Sequence, residues 1–133
     1  MEAAKINPWG VDIIFQDRHG KPIIFVEAKS RELQPKEAQR AIEQLESCLQ
    51  TSTQNIPFAM LVDAKNIQIF QWDGNRLSTP VAIIETASVL REYEPKYGQK
   101  KIFWSYFETL VEAWLRDLAY HWKSKAPPEI EKL

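Results

Sequence analysis

The sequence predicts an α/β (α+β) domain, a mixed central sheet flanked by helices, and three observations predict it. Two apolar, β-rich stretches, 11–17 and 21–28, meet at His19-Gly20, a pair suited to a tight turn, and so form a hairpin. A stretch at helical spacing, 35–50, then leads to two more apolar stretches, 57–62 and 66–72. The chain closes on a long aromatic helix, 101–123. With 133 residues, 44% of them hydrophobic and 26% charged, 1–133 reads as one domain able to bury a core. That core spans about 9–93, followed by the helix and a tail, 124–133.

The hairpin carries a specific register. A turn centred on His19-Gly20 sets Asp17 opposite Pro22, Phe15 opposite Ile24, and Asp12 directly opposite Glu27. Opposed side chains share a face about 5 Å apart, and Lys29, two residues beyond Glu27, joins them. Val11, Ile13, Phe15, Ile24, Val26 and Ala28 make up the other, core-facing side. Ile14, Ile23 and Phe25 accompany the charged trio, so that face is also partly covered; a solvated ion-pair ladder explains the trio less well than a site does. Asp17, Arg18, His19 and Lys21 read as turn charges, with Gly20 supplying the positive φ.

After a connector, 30–34, Pro35 opens the helix. Ala38, Ala41, Ile42, Leu45, Cys48 and Leu49 form its apolar stripe, with Gln44 at the edge. The loop 51–56 precedes a continuously apolar, buried strand at 57–62. Asp63 and Lys65 form a turn into the alternating strand 66–72, which Asp73-Gly74 ends. A further strand at 80–84, a short helix at 87–93 and a loop at 94–98 follow.

The apolar side of the last helix is broad. Phe103, Phe107, Leu110, Trp114, Leu118 and His121 fall together, and Trp104, Val111, Leu115 and Trp122 widen that side. Either the helix packs wholly within its own domain, or Trp104, Phe107, Val111, Trp114 and Trp122 form a homodimer seam. A single-strand stacking surface would want basic residues between the aromatics, and Glu108, Glu112 and Asp117 argue against it.

One Cys and two His exclude a disulfide framework and a thiolate or imidazole zinc cluster of familiar spacing. No apolar run of about 18 residues and no charged-then-apolar leader is present, so no membrane partner and a cytoplasmic location are the expectation. A net charge of -1 without a basic stripe means that any phosphate-binding charge must be gathered by folding or brought by a partner.

Two converging carboxylates repel unless one keeps its proton or a hard cation binds both through oxygen. A neighbouring ammonium can then stabilise charge on a reacting phosphate. Asp12, Glu27 and Lys29 in this arrangement resemble the PD-(D/E)xK nuclease superfamily, with its restriction endonuclease-like fold. More narrowly, Val11-Asp12-Ile13-Ile14-Phe15, the Gly20-Lys21-Pro22 turn and Ile24-Phe25-Val26-Glu27-Ala28-Lys29 are similar to the N-terminal nuclease segment of type I restriction enzyme R subunits, over residues 9–75.

The resemblance implies Mg²⁺-dependent hydrolysis of DNA phosphodiester bonds, Mn²⁺ substituting, in a restriction, defence or repair system. It implies Asp12, Glu27 and the Ala28 backbone carbonyl as metal ligands and Lys29 as catalytic cation. Gln44 matches a glutamine that the superfamily often places on the helix after Glu-x-Lys. DNA and other restriction or repair subunits are the implied partners. Two positions depart from the pattern. Val11 stands where the family has Pro before the Asp, and Glu2 is the only acid in 1–9, where the family has a further acidic helix. That helix is expected to be missing or to lie upstream. The alternative function is a non-catalytic dimeric nucleic-acid-binding or scaffold protein on the same fold; a third is an interaction domain that docks a partner on its aromatic helix.

Overall fold

A computed structural model describes residues 10–120. Strands β1 (Ile13–Gln16) and β2 (Pro22–Ala28) form the hairpin, α1 (Pro35–Thr51) crosses to β3 (Phe58–Val62), and β4 (Asn66–Gln71) and β5 (Ala82–Glu85) complete a five-stranded sheet in sequence order. Only β2 and β3 run parallel, because only they are joined by a helix; the other neighbours are antiparallel. The short α2 (Thr86–Leu90) leads to the long α3 (Trp104–Tyr120). The mixed α+β architecture is the one the sequence predicts. No helix among the described residues is long and apolar enough to cross a membrane.

In the hairpin, Ile13 pairs with Val26, Ile14 with Phe25 and Phe15 with Ile24, the expected register. Near the turn it shifts: Gln16, not Asp17, faces Pro22, which leaves Ile23 as an extra residue. The cause is Asp17, whose Oδ1 accepts from the His19 and Lys21 N–H groups at 2.8 and 3.0 Å and so belongs to the turn rather than the ladder. Two side assignments differ from the expectation, one for this reason and one at the strand's other end. Ile23 packs on the α3 side of the sheet, and Val11, which precedes the first paired residue of β1, packs on the α1 side.

Each sheet face has its own core. Ile14, Phe25, Leu61 and Phe70 meet Leu45 and Leu49 of α1. Ile13, Val26 and Met60 meet Phe107, Val111 and Trp114 of α3. Pro35 opens α1 as expected, and the Gln34 N–H donates to Glu37 Oε1 at 3.0 Å to hold the first turn. Asp63 is the expected turn residue: Oδ1 accepts from the Lys65 and Asn66 N–H groups, and Oδ2 from that of Leu33.

The sheet face is wide enough to absorb most of α3's apolar side. Phe107, Val111 and Trp114 are fully buried in the chain's own core, so they are not a homodimer seam. Trp104 is 66% exposed, while Trp122 and His121 lie outside the described residues. The helix begins at Trp104 rather than 101, leaving Phe103 exposed ahead of it.

Candidate active site

Continuing the hairpin register one step past β1 brings Asp12 opposite Glu27, and the trio converges. Asp12 Oδ2 accepts from the Ala28 N–H at 2.9 Å and lies 3.3 Å from Lys29 Nζ. The same ammonium is 3.4 Å from Glu27 Oε2. Glu27 itself is buried, because β2 is flanked by strands on both sides and its end lies against α1. Its second oxygen, Oε1, is buried without a hydrogen-bond partner among the described residues.

An orphaned carboxylate oxygen is costly. Burial first, and the charge of Asp12 second, push the Glu27 carboxyl up to about 7, although Lys29 pulls the other way. For Lys29, burial works against the charged form, but the carboxylates of Asp12 and Glu27 outweigh it and the net shift is upward. The ammonium is therefore held charged between two acids.

The trio opens into a cleft of about 400 Å³ whose far wall is α1. Gln44, Ala41 and Arg40 line it from the helix, and Arg31 from the connector. Gln44 thus reaches the site's cleft, with its amide 3.9 Å from Cys48 Sγ. Arg31 is ion-paired with Glu37, whose carboxyl its hydrogen bond holds down at about 2, the Gln34 N–H adding to the effect. Folding has gathered Lys29, Arg31 and Arg40, which show no stripe in the sequence, around one opening.

A second cleft, of about 320 Å³, lies beside the Asp12–Lys29 pair and is walled by Trp104 and Glu108 of α3. The sequence shows Glu108 only as one of the acids between α3's aromatics. Here it is half-buried, and burial, then the charges of Asp12 and Glu112, push its carboxyl up to about 7 against the pull of Lys29. The only sequence signal was its spacing of four from Trp104, which puts both on one helix face.

A hard divalent cation fits this donor set. Glu27 Oε1 lacks a partner, Asp12 is adjacent, and both are oxygen donors. Among the described residues no group of three or more His, Cys, Asp or Glu is arranged to hold a metal ion. An ion would therefore take two carboxylates, with the Ala28 carbonyl, water and phosphate oxygens completing its shell, a sharing usual for Mg²⁺.

The described chain is thus a mixed α+β domain with an acid–acid–ammonium cluster where the hairpin meets α1. Compared with family models, with curated proteins and with solved structures, the chain matches none.

Proposed function

We propose that the protein is a divalent-metal-dependent phosphodiesterase acting on DNA, a nuclease core of the restriction endonuclease-like kind serving a restriction, defence or repair system. The observation that carries this reading is the convergence of Asp12 and Glu27 on Lys29 with one buried Glu27 oxygen left unpartnered.

Asp12, Glu27 and the Ala28 carbonyl are the proposed ligands of Mg²⁺ or Mn²⁺. When bound, the ion would polarise the phosphoryl oxygen and lower the pKa of attacking water. Lys29, kept charged by its two acids, would stand against the oxygen on which negative charge develops. Arg31 and Arg40 would hold flanking phosphates, and Gln44 would orient water or phosphate within the cleft. Glu108 would add a proton-exchanging acid from the second cleft. The basic surface is small for a DNA enzyme, which supports weak cleavage by the isolated chain and stronger hold with other restriction or repair subunits.

The test is cleavage of plasmid and single-stranded DNA with Mg²⁺ or Mn²⁺ against an EDTA control. Lys29→Ala is expected to abolish cleavage while sparing metal binding, and Asp12→Ala to lose both. Cleavage that survives in purified Asp12→Ala would place the chemistry elsewhere.

A further inference from the structure

We infer that the start of α3 is a stacking platform for unpaired DNA bases, so that the strand entering the candidate active site is single-stranded. This rests on the nuclease reading and deepens it by naming the substrate form.

Phe103 and Trp104, at the start of α3, are 64% and 66% exposed, and Tyr106, 39% exposed, turns its hydroxyl to Glu94. By contrast, Trp72 and Trp114 are buried. Exposed rings at this density mark a contact surface. Trp104 is also a wall of the cleft that contains Asp12 and Lys29, which makes the patch continuous with the proposed chemistry. The basic residue that a stacking surface wants comes from the segment just ahead of the helix: Lys101 Nζ lies 5.4 Å from the centre of the Phe103 ring, whereas Lys100, 5.8 Å from that of Tyr106, is paired with Glu94 at 3.0 Å.

The acids of α3 lie elsewhere or are engaged, Glu108 excepted. The first turn has none. Asp117 is buried and accepts from the Tyr93 hydroxyl at 2.6 Å, while Glu112 pairs with Arg116 at 3.3 Å. Of the acids of α3 only Glu108 faces the cleft beside Trp104, which Asp12 lines with Lys29 and Arg31. A base inside a duplex has both faces occupied by its neighbours, whereas an unpaired base offers a face to Trp104, as its phosphate does a charge to Lys101. The occupant that fits the exposed Phe103 and Trp104 rings with Lys101 beside them is a single strand of DNA.

The experiment measures anisotropy of a labelled single-stranded oligodeoxynucleotide, and of the same sequence as a blunt duplex, with the full chain in EDTA at low salt. Trp104→Ala is expected to weaken single-strand binding about tenfold, with duplex binding changed by less than about twofold, and Trp104→Phe to retain most of the affinity. Circular dichroism should show both variants folded, since the side chain is exposed. Undiminished single-strand binding in Trp104→Ala, or a preference of the wild type for duplex, would overturn the platform. So would sedimentation showing a dimer that Trp104→Ala dissociates. Metal-dependent cleavage of single strands unchanged by Trp104→Ala would overturn the platform and leave the nuclease reading standing. Trp104-dependent single-strand binding with no cleavage under any metal would support the platform and remove the nuclease reading.

Discussion

The two long helices, α1 and α3, each have 17 residues and cover opposite faces of one sheet, yet they do different things there. Six residues of α3 are buried, among them the full side chain of Trp114, and the helix covers most of that face, leaving an apolar pocket of about 470 Å³ between Leu115, Leu118 and the strands. Three residues of α1 are buried, all toward its C-terminal half. Its N-terminal half stands over the ends of the hairpin strands without closing on them, and the space between holds Glu27, Lys29 and Asp12. Both faces carry an apolar core, but only the α1 face also holds a buried carboxyl with an orphaned oxygen. Glu27 stands where an apolar side chain would pack better, a cost in stability that the proposed function would account for.

Substitution on the two faces should separate these roles. The largest effect is expected from Trp114→Ala, which removes a fully buried indole from the α3 face and should cost about 3–5 kcal/mol of stability. Urea unfolding measures it. A loss below about 1 kcal/mol would mean that Trp114 is not the packed core residue described.

A smaller effect, of opposite sign, is expected on the α1 face. The Glu27 carboxyl titrates near 7 in the folded protein against an ordinary 4.5, so the native state binds more protons than the unfolded state between those values. Stability from this group is complete below about 4.5 and is lost as pH rises through 7. Glu27→Gln should therefore flatten that slope and be more stable than wild type at pH 8, by on the order of 1–3 kcal/mol. Glu108 titrates in the same window, and Glu108→Gln should remove a smaller part of the slope because that carboxyl is half-exposed. Thermal melts from pH 4.5 to 8 report both. A wild-type profile that rises across this range would contradict the strained-carboxyl account.

Much of this arrangement was legible in the sequence. The pairing of Phe15 with Ile24 followed from one turn, and α1 followed from Pro35 and a stripe of period 3.6. The convergence of Asp12, Glu27 and Lys29 needed only that register and strand alternation. What escaped depended on interactions that a period does not encode. Asp17 is drawn into the turn by two backbone N–H groups, which shifts the ladder and turns Ile23 to the other side. Alternation also fails at Val11, one residue outside Asp12, since the paired strand begins at Ile13.

The last helix was harder. Its breadth suggested a seam between copies, but the five-stranded sheet accommodates Phe107, Val111 and Trp114. Glu108 and Trp104 reach the site because the first turns of α3 pass the open end of the hairpin, a tertiary path with no local sequence mark.

The open end of the α1 face is the proposed divalent-metal site, built on Asp12 and Glu27. Calorimetric titration of Mg²⁺ and Mn²⁺ into the full chain at pH 8 tests it most directly. One site is expected in wild type and in Lys29→Ala, and none in Asp12→Ala or Glu27→Gln, with Trp104→Ala unchanged. No measurable site in wild type, or a site indifferent to both Asp12→Ala and Glu27→Gln, would contradict it.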